Sequence, residues 1–243
     1  MRLAPFVAPA VVAGGVWAVH AAPVVTSIEV LRRRALPALA GVGRSDHVGL
    51  TFDDGPDPAS TPLVLDALDR LGWKATFFML GSMTRAHPSV AREVVAAGHE
   101  IAVHGDEHRS ELFRTPGAIA DDLSRALDTV AGATGVAPRW FRPPYGVLAT
   151  AGLRAAKRLG LHTVLWTAWG RDWRPQATPD SVVEDVLAGL RPGGTILLHD
   201  SDCTSAPESW RSTLGALPAL AEALGARGLA VGTLAEHGIA LAV

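Results

Sequence analysis

From residue 46 onward the chain repeats one unit: a short run rich in β-branched and aromatic residues, a loop, an amphipathic stretch of helical period, and a glycine. No other feature constrains the fold as strongly. Strands that alternate with helices run parallel, because each crossover returns the chain to the same end of the sheet, and the helices then cover it. The pattern predicts strands at Val48–Phe52, Ala75–Met79, Ile101–Val103, Trp140–Arg142, Thr163–Trp166, Thr195–Leu198 and Leu229–Thr233. Thr61-Pro62 opens a helix that Gly72 closes after Leu71. A second runs from Pro88 to Ala97 before Gly98, and a third from Thr115-Pro116 toward Ala131. Thr150–Leu159, Ser181–Leu190 and Trp210–Leu224 complete the helices. About seven strands in one α/β domain fit either a closed or nearly closed barrel or an open doubly wound sheet, and periodicity does not separate the two.

Composition narrows the class. With 243 residues, 48% hydrophobic and 19% charged, the chain is long enough for one sizeable core and too apolar to be disordered. A formal net charge of −2, without a basic block, excludes a nucleic-acid partner. Cys203 is the only cysteine, so no intramolecular disulfide forms. Neither a GxGxxG signature nor a phosphate-binding P-loop occurs. Residues 1–45 differ in texture from the domain spanning 46–243: no Lys, Arg, Asp or Glu stands between Leu3 and Ile28. That stretch reads either as a packed N-terminal segment or as a secretion signal or membrane anchor. Its proline-free core, Ala10–Ala22, spans roughly 20 Å as a helix, short against a hydrocarbon core of about 30 Å.

The polar residues gather where strands end. Asp53-Asp54 follow the first strand, His104 the third, Arg142 the fourth, Asp172 the fifth and His199-Asp200 the sixth. In a parallel barrel those ends open on one face, where the site is built. Adjacent carboxylates on an extended chain point in opposite directions, so Asp53 and Asp54 can take separate tasks. His104 and His108 stand at i and i+4, which on a helix would place two imidazoles on one face to chelate an ion, with Asp54 as third ligand and an open position for water. His199, at a strand mouth, is a candidate general acid, while Asp200 reads as orienting a loop. Arg142 lies on a loop stiffened by Pro143 and Pro144 that could hold it against Asp53 or Asp172. His20, His47, His87, His99, His162 and His237 have no comparable partners and read as structural or surface residues. Trp166, Trp169 and Trp173 read first as core.

Together these motifs resemble the polysaccharide deacetylase family, the NodB-homology domain of carbohydrate esterase family 4, from about His47 to Leu234. Thr51–Gly55 matches its TFDDG motif, His104–His108 its His-x-x-x-His motif, Arg142–Tyr145 its Arg-Pro-Pro-Tyr loop, Asp172-Trp173 half of its Asp-x-x-Asp-Trp motif, and Leu197–Asp200 its Leu-x-His-Asp segment. The resemblance implies a distorted (β/α)7-type barrel with the site at the C-terminal strand ends, and removal of N-acetyl groups from an N-acetylglucosamine-containing glycan. It implies one divalent ion, zinc with cobalt as the alternative, on Asp54, His104 and His108. Asp53 would be the general base, oriented by Arg142, and His199 the acid, with Asp172 holding Arg142 or tuning His199. The backbone N–H at Tyr145 would face the oxyanion, Leu197 would line the acetyl pocket and Trp173 would pack over the site. One of the tryptophans would then wall the sugar groove. Two positions depart from the pattern: Trp169 stands where the family has Asp, and Gly105 where it often has Ser or Thr.

The same resemblance implies a monomer at the cell envelope or outside the cell, with a cytoplasmic enzyme as the alternative and any membrane association through the apolar N-terminal segment. Three rival readings stand beside it: an O-acetyl-carbohydrate esterase of the same fold, a non-catalytic carbohydrate-binding relative, and an inverzincin-type protease. The last needs His104–His108, which also spells His-x-x-Glu-His, inside a helix.

Overall fold

The computed structural model describes residues 17–240. Eight strands form one sheet: β1 (His47–Asp53), β2 (Thr76–Met79), β3 (Glu100–Val103), β4 (Trp140–Phe141), β5 (His162–Thr163), β6 (Ala168–Trp169), β7 (Thr195–His199) and β8 (Ala230–Gly232). Their order is β5-β4-β3-β2-β1-β7-β6, with β8 added to the start of β1, and every pairing is parallel. The sheet curls as a distorted (β/α) barrel with a seam between β5 and β6. Around it lie α1 (Glu29–Ala35), α2 (Thr61–Leu71), α3 (Gly81–Ala86), α4 (Pro88–Ala96), α5 (Pro116–Thr134), α6 (Thr150–Arg158), α7 (Pro179–Gly189), α8 (Trp210–Gly225) and α9 (Leu234–His237).

β1 shows how the sequence builds both layers. Val48, Leu50 and Phe52 join the cluster that packs against Val64 and Leu68 of α2, Val182 and Val186 of α7, and Leu217 and Leu220 of α8. Each such wholly buried side chain contributes about 1.5–3 kcal/mol of transfer free energy. Gly49, Thr51 and Asp53 alternate to the other face. There Phe78, Ala102, Trp140 and Val164 form a smaller cluster, and the polar ends of Thr51 and Asp53 meet Arg142.

Most predicted elements form within a residue or two of their expected ends. Gly72 closes α2 in the left-handed region at φ 66°, as a helix stop requires. The fifth strand is the main departure. It stops at Thr163 instead of Trp166 because the next carbonyls leave the ladder: those of Val164 and Leu165 accept from the Arg142 guanidinium and that of Trp166 from Arg32. The chain then enters β6, so Asp172 follows the sixth strand and not the fifth. The sequence pattern does not predict α1, α3, α9 or the two-residue strand β6. α9 had a legible signal, since Thr233 and Glu236 form a capping box.

Of the histidines read as structural or surface residues, His47 and His237 are structural and partner each other. Both are buried, with Nδ1 atoms 3.0 Å apart, and His237 Nε2 lies 3.1 Å from the Gly193 carbonyl and 3.2 Å from that of Gly41. Burial pulls His237 down to about 4 and lowers His47 as well, so this pair is a neutral clamp between the start of β1 and the end of the fold. Residues 1–16 of the apolar N-terminal stretch, where most of the expected signal or anchor falls, lie outside the described residues.

Candidate active site

Parallel register brings the two candidate proton carriers side by side. β1 and β7 pair Asp53 with His199 at their C-terminal ends. Both open on a cavity of about 400 Å³ that is also lined by Asp54, His104, His108, Tyr145, Leu197 and the three tryptophans 166, 169 and 173. The strand-end rule therefore holds for this site.

Asp54 follows β1 at φ 80°, and its carboxylate converges with that of Asp53 on His104 Nε2, which lies 3.7 Å from Asp53 Oδ2 and 3.4 Å from Asp54 Oδ1. Its Oδ2 accepts a hydrogen bond from the Thr204 hydroxyl. Its Oδ1 is buried without a hydrogen-bond partner, 3.4 Å from His104 Nε2 and 3.5 Å from His108 Nε2. One donor atom from each of the three residues lies within 4.8 Å of the others. His104 Nδ1 donates to the Arg142 carbonyl at 2.9 Å, which fixes the tautomer and turns the Nε2 lone pair toward Asp54. An orphaned carboxylate oxygen facing two imidazole nitrogens suits a divalent cation at about 2.0–2.2 Å from each. Burial pushes His104 down to about 3 and lowers His108, so both are neutral, as ligands must be.

The two histidines are not on a helix, contrary to the i, i+4 argument. They lie on the loop after β3, where Gly105 takes φ +92°. The Gly105 and Asp106 carbonyls accept from the first N–H groups of α3, and Asp106 is ion-paired with Arg85 and Arg125. A glycine therefore suits the position where the family often has Ser or Thr. The helical placement that an inverzincin requires is absent, so that reading is set aside.

Arg142 is wholly buried. It donates to Asp53 Oδ1 at 2.6 Å, to the Thr51 hydroxyl at 2.8 Å and to the Leu165 carbonyl at 2.9 Å, and its guanidinium lies 4.0 Å from the centre of the Phe78 ring. Of the two partners considered, Asp53 is the one it meets. Burial raises the Asp53 pKa and the Arg142 charge opposes the rise. Asp172 instead holds His199. Its carboxylate sits 2.8 Å from His199 Nδ1, accepts from the His199 backbone N–H at 2.7 Å and from the Thr213 hydroxyl at 2.6 Å. Burial disfavours charge on His199, but Asp172 overcomes this and pushes it up to about 10. Nδ1 is thereby occupied, leaving Nε2 as the free corner of the ring.

Tyr145 sits at φ 60° on the turn after Pro144, with its ring edge-on to His108 at 4.2 Å between centroids. The turn's own hydrogen bonds are donated by Gly146 and Val147. Asp200 behaves as a loop-orienting group: it accepts from the Thr61 hydroxyl at 2.5 Å and packs so tightly behind residue 55 that any Cβ there would collide with it. Thr204 and Thr213 sit on loop and helix positions that carry no motif, and Trp166, Trp169 and Trp173, expected first as core with one of them walling the groove, all three line the cavity. The spacing 166, 169, 173 was the available signal: ring centroids step by 5.8 and 6.3 Å along one wall of the cavity.

Comparison with known proteins gives one consistent answer. The family profile described as polysaccharide deacetylase matches residues 40–164. A chitooligosaccharide deacetylase from Bradyrhizobium sp. (strain ANU 289) is 38% identical over 204 residues, covering 80% of this chain and 92% of the relative. Among solved structures, the Bc1960 peptidoglycan N-acetylglucosamine deacetylase superposes with a TM-score of 0.76 at 28% identity, over 83% of this chain and 92% of that one. A family 4 carbohydrate esterase from Streptomyces lividans, solved in complex with acetate, gives 0.69 at 34% identity, over 77% and 92%. The profile spans half the sequence, and each of these relatives aligns over nearly its whole length. On that ground the chain belongs to the polysaccharide deacetylase family.

Proposed function

We propose that this protein is a metal-dependent hydrolase that removes N-acetyl groups from an N-acetylglucosamine-containing glycan. The observation that carries the reading is the juxtaposition of Asp53 and His199 on paired strands, beside the Asp54–His104–His108 cluster, in one cavity. Asp54, His104 and His108 would hold one divalent ion, and we assign zinc because two imidazoles and one carboxylate with an open position are its usual hydrolytic set. When bound, the ion supplies Lewis-acid polarisation and lowers the pKa of water.

The chain's residues carry the rest. Asp53, oriented by Arg142, accepts a proton from the attacking water as its oxygen bonds to the acetamide carbon. The backbone N–H of Tyr145 faces the oxygen that becomes negative. His199 delivers a proton from Nε2 to the nitrogen, the C–N bond breaks, and acetate and a free amine leave. Leu197 bounds the acetyl methyl, and Trp173 covers the sugar side. Glycans of this kind are met at the cell envelope or outside the cell, where we place the enzyme. No helix among the described residues is long and apolar enough to cross a membrane.

The test is release of free amine and acetate from a chito-oligomer before chelation, after it, and with zinc or cobalt returned. Activity that falls with the ion and recovers with it is the expected result. Turnover indifferent to chelation would refute the assignment. A second expectation concerns the acid. Asp172 holds His199 protonated, so Asp172→Asn should move the alkaline limb of the pH–rate profile down by about one unit or more. An unmoved limb would separate Asp172 from that proton.

A further inference from the structure

α1 is a helix with an inverted burial pattern. Its only buried residue is Arg32, 4% exposed, while Val30 and Leu31 face outward. Burying a guanidinium is costly unless partners meet it. Arg32 finds them at the seam of the barrel: it donates to the Thr26 carbonyl and to the Trp166 carbonyl, each at 2.6 Å. The Val164 N–H still donates to the Phe141 carbonyl, but the carbonyls of residues 164–166 have left the strand ladder, and two arginines share them. Arg142 takes Val164 and Leu165; Arg32 takes Trp166. The preceding turn adds a backbone stitch from the Leu165 N–H to the Leu39 carbonyl at 2.7 Å.

Trp166 is the residue through which this reaches the site. Both guanidinium carbons lie 5.7 Å from its ring centroid, one from each arginine. Its indole lines the cavity and presses on residue 146, where a Cβ would come within 2.5 Å of the ring. Gly146 is the neighbour of Tyr145 on the turn that presents its N–H.

We propose that Arg32 is a positioning residue for the deacetylase site: from the N-terminal segment it fixes Trp166, and through Trp166 the wall of the substrate cavity and the Tyr145 turn. The catalytic unit then begins at about Thr26 and not at residue 46, and α1 belongs to it. The inference rests on the deacetylase reading of the same cavity, and its test separates the two.

The experiment compares full-length wild type, Arg32→Met, Arg32→Lys, Trp166→Phe and the Arg32→Met/Trp166→Phe pair. Arg33→Met serves as control, since among the described residues Arg33 is ion-paired with Glu29, one turn earlier on the same helix. Arg32→Met should lower kcat/KM on a chito-oligomer by about 10- to 100-fold. Zinc affinity and the pH profile should be unchanged, and Arg32→Lys, which reaches one carbonyl of the two, should fall between. The loss should largely vanish in the Trp166→Phe background, because both substitutions act through one element. Wild-type kcat/KM in Arg32→Met, or losses that simply multiply in the pair, would overturn the proposal. Should wild type release no amine, the deacetylase reading fails, and the ¹⁹F resonance of 5-fluorotryptophan at position 166 decides. A shifted or broadened signal in Arg32→Met (in Arg32→Lys if the Met variant does not fold) but not Arg33→Met supports positioning; an unchanged one rejects it.

Discussion

Asp53→Asn is expected to lower turnover by about 10²- to 10⁴-fold, the range that one positioned general base supplies. The amide keeps an oxygen that can accept from Arg142, so the hydrogen-bond frame around Thr51 and Leu165 stays connected. Asp54, His104 and His108 are untouched, so metal affinity should be close to that of the wild type. The stability loss comes from one missing negative charge beside a buried guanidinium and should leave the protein folded. Amine release measured on protein of verified metal content checks the prediction. A variant that binds the ion normally and still turns over at the wild-type rate would remove Asp53 from the chemistry.

Arg142→Met should have the larger combined effect. The substitution strips the Thr51 hydroxyl and the Leu165 carbonyl of their donor and leaves Asp53 as an uncompensated buried carboxylate. Breaking such a pair costs about 3–5 kcal/mol, so thermal or denaturant unfolding should show a loss of that order. Activity should fall with it, because Arg142 is what opposes the burial-driven rise of the Asp53 pKa. Without it the carboxyl stays protonated to higher pH and cannot accept a proton. The pH dependence has a definite sign. A carboxyl whose folded pKa exceeds its unfolded value, here 3.8, loses stability as pH rises between the two, because the unfolded state releases the proton first. Wild-type Asp53 is itself raised by burial, so the variant's deficit relative to wild type should widen only once pH passes the wild-type folded pKa of Asp53. A deficit that shrinks over that range would mean that Asp53 is not the stranded charge.

Much of the site was legible because its residues sit on strand ends, where short sequence motifs and a parallel sheet are enough to bring them together. The ladder that faces Asp53 with His199 follows from two apolar runs of similar length ending in Asp and His. Local geometry was less legible. The i, i+4 spacing of His104 and His108 suggested a helix, yet a left-handed glycine and the start of α3 produce the same convergence from a loop. The end of β5 was misplaced because residues 164–166 look like strand residues by composition. What diverts their carbonyls from the ladder is a pair of buried arginines distant in sequence, one of them in the N-terminal segment before residue 46. Long-range polar contacts of that kind leave no periodic trace. The choice between barrel and open sheet was likewise beyond periodicity, since both are built from the same repeating unit.

Catalysis as proposed depends on one ion held by Asp54, His104 and His108 next to Asp53. Its most direct test is a titration of metal-free protein with zinc, following bound metal and amine release together. Activity that rises in proportion to bound zinc and stops at one equivalent per chain, and that His104→Ala abolishes along with the binding, is the predicted result. Full activity before any zinc is added, or an equivalent bound just as tightly by His104→Ala, would contradict it.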